Sequence, residues 1–434
     1  MTDTADAPAI DSYIADLAAF VEASPSSYHA AAEAARRLEA AGFTRLSETD
    51  AWPAGPGRHV VVRDGAVIAW VVREGAGPTT PFHILGAHTD SPAFKLKPQP
   101  TTEAHGWLQA GVEVYGGPLL NSWLDRELEL AGRVVTRDGA EHLVRTGPLL
   151  RIPQLAIHLD RGVNDGLTLD RQRHTQPVFG VAADAPLGAG DLLGIVADAA
   201  GVARNDILGY DLLTADTQPP ARFGLGGSLF ASRRLDNLSS VHAGVTALIA
   251  AADHAGEARH IAVLAAFDHE ELGSQSRSGA SGPFLEDVLL LVSEGLGAVA
   301  SDRLRAFAAS WVVSSDAGHA VHPNYPERHD PANRPIAGGG PLLKINANQR
   351  YTTDAAGSAL WARLSELAGV PYQEFVSNNA VPCGSTIGPL TATRLGIATV
   401  DVGVPLLSMH SARELCHVAD PFALAGALTA FYSL

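Results

Sequence analysis

Apolar side chains recur at helical spacing from residue 10 to residue 41. Ile14, Leu17, Phe20 and Val21 share one face, and the run SPSSYHAAAEAARRLEAAGF that follows has a Ser/Pro start, an Ala/Arg/Leu body and a stop at Gly42. The spacing predicts two helices at the front of a domain. The pattern then changes: HVVVRDGAVIAWVV (59–72) predicts a strand hairpin turning at Asp64-Gly65, and PFHILGAHTDSPAF predicts a buried strand that leaves at a Gly-Ala-His corner. Segments this apolar belong in the middle of a sheet.

Between about 98 and 230 Pro and Gly become frequent and strands are short and alternating, as in LELAGRVVTRDGAEHLVRT with its Asp138-Gly139 turn. Little helical periodicity is sustained before position 235, so this stretch is predicted to be an inserted, mostly β domain. After it come helix VHAGVTALIAAADHAG, strand HIAVLAAF, the helical run PFLEDVLLLVSEG, strand SWVVSSDAGH, a Gly-rich loop at 338–340, helix DAAGSALWARLSELAG, and strands YQEFVSNN and IATVDVGVP. They alternate as βα units, and PFALAGALTAFYSL closes the chain with a helix. The expected fold class is α/β: a central mixed sheet flanked by helices, in two parts at 1–97 and 233–434, interrupted by the β-rich insertion at 98–232.

With 434 residues, of which 46% are hydrophobic and 18% charged, the chain has enough apolar material for both units. A formal charge of -16 argues against a nucleic-acid or anionic-membrane partner, and any acidic ligand would need a local cation. Cys383 and Cys416 are the only cysteines, too few for a disulfide framework or a cysteine zinc site. The N-terminal stretch is acidic where a signal peptide would be basic, and no apolar run reaches the ~18 residues of a membrane span. A cytoplasmic location is the expectation. Asn237-Leu238-Ser239 matches a glycosylation acceptor, which carries no meaning without secretion.

In an open α/β sheet ligands gather beyond the carboxyl ends of the strands, so the polar residues that end each apolar run carry the most information. They are His88 and Asp90 after FHILGA, Asp236 after RRL, Glu270 and Glu271 after AVLAAF, Asp316 after WVVSS, and His410 after VPLLSM. Singly, each reads as a helix cap or a hydrogen-bonded filler. Together, two imidazoles and several carboxylates form a ligand mixture suited to zinc, cobalt or manganese rather than to calcium or magnesium alone. Two metals about 3.5–4 Å apart need a bridging carboxylate and roughly one His plus one carboxylate each, which this set supplies. Asp90, two residues from His88 on an extended segment, points the same way and can accept the imidazole's other proton. Glu270 and Glu271 are adjacent at a strand exit, where side chains diverge, so one can ligate while the other acts as general base and proton shuttle.

Several long segments, GAHTDSPAFKLKP (86–98), RRLDNLSS (233–240), FDHEELGSQSRSGA (267–280), SSDAGHAVHPNYPERH (314–329), GGPLLKINANQRYTTD (339–354), VPCGSTIGP (381–389) and SMHSARELC (408–416), closely resemble the M18 metalloaminopeptidases, the family of aspartyl aminopeptidase. NSWLDRELELAGRV (121–134) and QLAIHLDRGVN (154–164) in the insertion are similar too. The resemblance implies two divalent metal ions per subunit, most naturally zinc, with Asp236 bridging, His88 and Asp316 completing one set, and Glu271 and His410 the other. It makes Glu270 the general base and Asp90 the partner of His88, and it places substrate contacts on His158, His319, Lys344 and Tyr351. His158 would reach a neighbouring subunit's site from a dimerisation domain, within a tetrahedral homododecamer built of dimers. His269, Gln275 and Arg277 set bulky or basic groups beside the catalytic loop where the family mostly has acidic or small ones.

The activity implied is removal of the N-terminal residue from peptides with a free amine, Asp or Glu if Lys344 supplies the pocket's cation with help from His158 or His319. Members preferring neutral N-terminal residues form the alternative. Other two-metal amidases, carboxypeptidases or N-deacylases, anchor a substrate carboxylate with Arg, and no Arg in the matched segments obviously takes that part. A metal-stabilised shell or cargo role would not require Glu270. A cysteine hydrolase built on Cys383 has no local pattern to support it.

Overall fold

The computed structural model of the chain describes residues 7–185, 190–253 and 259–434. Helices α1 (Ala7–Ala23) and α2 (Ser27–Ala40) form where the periodicity places them, and the Ser26 hydroxyl caps α2 by accepting the His29 N–H. A two-residue strand β1 (Thr44–Arg45) precedes the hairpin of β2 (Gly57–Arg63) and β3 (Ala66–Val72) and then β4 (Phe82–His88). Strand β4 continues through Gly86, Ala87 and His88, so the chain leaves the sheet after the expected corner rather than at it.

Next come β5 (Ala93–Ala104), β6 (Trp107–Tyr115), β7 (Leu128–Thr136), β8 (Glu141–Arg145), β9 (Val178–Val181), α3 (Leu192–Ala200) and β10 (Ile207–Asp216). These strands pair antiparallel in the order β8-β7-β10-β5-β6-β9. Strands β11 (Ala221–Phe223) and β12 (Leu229–Ser232) lead into α4 (Leu235–Ala252), β13 (Ile261–Phe267), α5 (Phe284–Gly295), α6 (Ala300–Ala308), β14 (Trp311–Ser315) and β15 (Gly318–His319). The last stretch holds β16 (Leu342–Ile345), α7 (Ala355–Ala368), β17 (Gln373–Val376), α8 (Ile387–Leu395), β18 (Ala398–Gly403), β19 (Pro405–Leu406), β20 (Glu414–His417) and α9 (Ala419–Ser433).

Helices α3, α6 and α8 depart from the sequence expectation. Each has nine residues, too short for apolar periodicity to declare itself. The end signals of α3 were nonetheless present: the Asp191 carboxylate accepts the Leu193 N–H, and Gly201 closes the helix at φ 68. Helix α4 starts six residues earlier than its apolar run suggested, and positions 254–256 of that run lie outside the described residues.

A nine-stranded mixed sheet in the order β1-β2-β3-β13-β4-β14-β18-β16-β17 forms the centre. Its middle strands β13, β4, β14 and β18 run parallel, and β13 is buried at all seven positions, which is why it reads as one apolar run. Apolar residues of α1, α2, α4, α7 and α9 cover one face, and those of α5, α6 and α8 cover the other. A third core lies under the six-stranded sheet and α3. Among the described residues no helix is long and apolar enough to cross a membrane.

The strand exits are held at close quarters. The Asp316 N–H donates to the Val402 carbonyl at 3.0 Å, and a Cβ on Gly403 would lie 1.6 Å from the Asp316 carbonyl oxygen. Gly403→Ala must therefore separate the end of β18 from Asp316. We expect a loss of at least ~3 kcal/mol, at the upper end of overpacking costs, read as a lowered urea midpoint; an unchanged midpoint would show that this exit relaxes freely.

Candidate metal centre

The parallel strands β13, β4 and β14 end side by side, with Phe267 opposite His88 and Ser314 opposite Gly86. His88 is the last residue of β4, Asp316 follows β14, and Asp268 to Glu271 follow β13. Asp236 arrives by another route, in the first turn of α4 with non-helical backbone angles. Its neighbour Asn237 is fully buried and donates its side-chain amide to the Ser315 carbonyl at 2.8 Å, tying the start of α4 to the exit of β14. His410 comes from the loop between β19 and β20, at φ 65.

These residues converge on Asp236. His88 Nε2 lies 3.2 Å from Asp236 Oδ1 and 3.3 Å from Asp316 Oδ1, while His410 Nε2 lies 3.3 Å from Asp236 Oδ2 and 3.4 Å from Glu271 Oε2. His88, Asp236 and Asp316 form one possible ligand group and Asp236, Glu271 and His410 another, with the ligand atoms of each group all within 4.8 Å of one another.

Hydrogen bonds on the far side of each ring decide what faces inward. His88 Nδ1 donates to the Asp90 carbonyl at 3.1 Å and His410 Nδ1 to the Gly117 carbonyl at 3.1 Å. In the neutral tautomers fixed by these bonds, both Nε2 lone pairs face carboxylate lone pairs, a repulsive arrangement unless a cation or a second proton lies between. Asp236 Oδ1 and Glu271 Oε1 are buried with no hydrogen-bond partner. Two imidazoles and three carboxylates, two of them with an orphaned buried oxygen, fit a zinc-type cation.

Where only protons relieve the repulsion, the titrations move apart. Burial lowers the pKa of His88, but Asp236, Asp316 and Asp90 outweigh it and hold the ring well above its ordinary value. His410 is likewise desolvated, yet its bond to Asp236 and the Glu271 charge raise it to about 10. Burial and Asp236 push Glu271 well above the carboxylate range, whereas His410 and His88 pull Asp236 down in spite of burial.

Two buried carboxylates hold the backbone that presents these groups. Asp90 Oδ1 accepts the Glu270 N–H at 3.0 Å, and Oδ2 accepts the Glu271 N–H at 3.2 Å and the Tyr115 hydroxyl at 2.9 Å. Toward His88 the carboxylate is at 3.4 Å, farther than Asp90's own carbonyl, so its closer bonds are to the two glutamate amides. Glu414 serves two further ligands: Oε2 accepts the Asp236 N–H at 2.9 Å and Oε1 the His410 N–H at 2.8 Å. Pairing of Glu414 with Ser232 across β12 and β20 puts it there. Sequence reasoning missed Tyr115 and Glu414. Tyr115 ends an ordinary alternating strand, and the one signal for Glu414 is its place four residues after His410.

A cavity of about 230 Å³ opens on this group, with Glu270, His319, Lys344 and Tyr351 in its wall. Burial, resisted by His88 and reinforced by Asp316, Asp236 and Asp90, pushes the Glu270 carboxyl up to about 8. A lysine in PLLKINAN would ordinarily be solvated, but Lys344 is only 2% exposed. Its Nζ donates to the Ala317 carbonyl at 2.7 Å, lies 3.9 Å from Asp316 Oδ2, and sits 5.3 Å above the Tyr351 ring. His319 reaches solvent, and burial of its ring together with Lys344 keeps its pKa below the ordinary value. His158 is exposed on a turn and is absent from the cavity wall of its own chain. Gln275 and Arg277 face solvent, with Arg277 paired to Asp64 at 3.0 Å, and among the described residues neither they nor His269 line this cavity.

Known proteins match this chain closely. Residues 20–432 match the family described as aminopeptidase I zinc metalloprotease (M18). A Streptomyces coelicolor protein described as a probable M18 family aminopeptidase 2 is 56% identical over 418 residues, covering 96% of each chain. A chain from a cryo-EM structure of the Ape4 and Nbr1 complex is 36% identical with a TM-score of 0.94, covering 98% of this chain and 86% of that one. The S. cerevisiae mApe1 dodecamer gives 27% identity and a TM-score of 0.86, covering 98% and 97%.

Two outcomes follow from the geometry. Glu414→Ala should weaken zinc binding by ~10–100-fold, seen as lost zinc after dialysis against a weak chelator, with Glu414→Gln milder; full retention in both would deny Glu414 its hold on the ligands. Zinc added to metal-depleted protein at pH 7 should release at least about one proton, because His410 is charged there and must become neutral to ligate. Calorimetry in buffers of different ionisation heat reads this directly, and a buffer-independent heat would contradict it.

Proposed function

The chain belongs to the M18 family of zinc aminopeptidases, and from that premise we propose that it is a dinuclear enzyme removing N-terminal Asp or Glu from peptides with a free amine. The observation that carries the two-metal reading is Asp236, with one oxygen toward His88 and the other toward His410. On this reading His88, Asp236 and Asp316 hold one ion, and Asp236, Glu271 and His410 the other. Zinc bound there supplies Lewis-acid polarisation of the scissile carbonyl and an acidified water.

The protein's own groups do the rest. Glu270, held through its backbone by Asp90, takes the proton from the attacking water and returns it to the departing amine. His319, kept neutral, donates an N–H toward the developing oxyanion. The free α-amino group of the substrate binds beside the metal pair and its carboxylate ligands, which limits attack to the terminal residue.

The acidic preference rests on Lys344, a buried cation in the cavity wall, where low dielectric strengthens a pair with a substrate carboxylate. A specific observation also favours the neutral alternative: the ammonium already has Ala317, Asp316 and the Tyr351 ring around it.

The same reading takes 1–97 and 233–434 as the catalytic domain and 98–232 as a dimerisation domain, with dimers assembling into a cytoplasmic homododecamer. The dodecameric solved relative supports self-association. So do Leu155, Ile157 and Leu159, each at least half exposed around His158, a surface that a neighbouring subunit would cover while bringing His158 to its cavity.

Glu270→Gln should keep its zinc and lose ~10²–10⁴-fold in kcat; normal turnover with full zinc would remove it as the base. On dipeptides beginning with Asp, Glu, Ala, Leu or Lys, free Asp and Glu should be preferred, and Lys344→Leu should move the preference toward Leu. A wild-type preference for neutral residues would discard the acidic pocket, and turnover only of N-acetylated peptides would discard the aminopeptidase itself.

A further inference from the structure

The metal-side cavity has a neighbour. His319, Tyr351 and Gly384 line both it and an adjoining chamber of about 220 Å³. On the metal side the wall carries Asp236, Glu270, Glu271 and Asp316, whereas the described lining of the adjoining chamber has no Asp or Glu and carries Arg328, His322 and His329 instead. The ionisable lining thus changes kind, from carboxylates that hold the metals to a guanidinium and two imidazoles with no carboxylate beside them.

The basic loop is tied down. The His322 N–H donates to His329 Nε2 at 3.2 Å, and the Asn378 side-chain amide donates to the carbonyls of Glu327 and His329 at 3.0 and 3.3 Å. A β-bridge between His329 and Ser377, next to Asn378, holds the same segment through its backbone. Because His329 Nε2 accepts, its proton sits on Nδ1; because His322 Nδ1 accepts the Asn324 N–H at 3.2 Å, its proton sits on Nε2. Each ring thus has one N–H to donate. Arg328 pairs with Glu327 at 3.8 Å from a side chain that is 72% exposed, too loose a contact to occupy its planar fork. A fork of that kind suits a carboxylate, gripped through two parallel N–H bonds.

A peptide whose α-ammonium lies among the metal-side carboxylates, with its first side chain toward Lys344, continues away from the metals. The partition residues His319, Tyr351 and Gly384 mark the way on. We propose that the adjoining chamber is the subsite for the residue after the scissile bond and selects a carboxylate carried by that residue, whether on its side chain or, in a dipeptide, at its C-terminus. The inference rests on the aminopeptidase reading and adds a second specificity determinant on the leaving side.

The test is a comparison of kcat/KM for zinc-loaded wild type and Arg328→Ala on Asp-Ala, Asp-Ala-amide, Asp-Glu-amide, Asp-Lys-amide and Leu-Ala. Wild type should prefer Asp-Glu-amide to Asp-Lys-amide, or Asp-Ala to its amide. Arg328→Ala should cut the preferred ratio ~tenfold, through KM rather than kcat, with partial recovery in Arg328→Lys. The first ratio reports a side-chain carboxylate and the second a terminal one, and a fall in either supports the chamber. The ratio of Asp-Ala to Leu-Ala, which reports the first residue, should not move. Unchanged second-residue ratios in Arg328→Ala, or a change confined to the first-residue ratio, would overturn the proposal while leaving the aminopeptidase intact. A wild-type enzyme that cleaves none of the free-amine peptides would overturn both.

Discussion

Carboxylates repel, and removing them from water strengthens the repulsion. Asp236, Glu271 and Asp316 are nonetheless gathered within a few ångströms of two imidazoles, with Glu270 beside them and Asp236 only 4% exposed. Left to themselves, these side chains would swing apart or take up protons. What prevents the first is attachment to rigid elements: His88 ends a buried strand, Asp316 follows a parallel neighbour, and the turn with both glutamates leaves a third. Asp90 and Glu414 bind main-chain amides of four of the residues concerned and so position them without competing for their side chains. The remaining frustration, lone pair against lone pair, is what makes the group receptive to a cation.

This division explains which parts of the site can be read from sequence. Residues at strand ends are legible because a buried parallel strand is an uninterrupted apolar run, and the polar residue that stops it stands out; His88, Glu270, Glu271 and Asp316 are marked that way. Asp236 was found by the same rule for an inexact reason, since it opens a helix and its nearest strand belongs to a small separate sheet. Tyr115 acts through tertiary proximity alone, and so does the bond of Glu414 to Asp236; a lone Tyr or Glu in a strand has little local feature to mark it. The burial of Lys344 is likewise hidden, because its strand is short and its cover comes from Ala317, 27 residues earlier, and from Tyr351 in the loop after the strand. Helices fared by length: α4, α5 and α7 span three turns or more and were visible, while the nine-residue ones were not.

The sign of charge along the cavity gives the site a direction. Carboxylates line the metal-side cavity, a buried ammonium stands close by, and basic donors line the space beyond His319 and Tyr351. With a net charge of -16 the protein's overall field is unfavourable to acidic peptides, so any preference for them must come from these few short-range contacts. A net acidic protein with a locally basic recess discriminates by contact rather than by attraction from a distance.

Tyr115 closes strand β6 of the six-stranded sheet, and two residues later Gly117 supplies the carbonyl that orients His410. The Tyr115 hydroxyl meets Asp90, which in turn holds the turn bearing Glu270. The six-stranded sheet is therefore a wall of the chemistry as well as a neighbour to it. The molecule is not modular in the sense its topology suggests: trimming the interrupting segment to a short linker, or exchanging it for another, would remove the carbonyl that orients His410 and the hydroxyl that meets Asp90 behind the Glu270 turn.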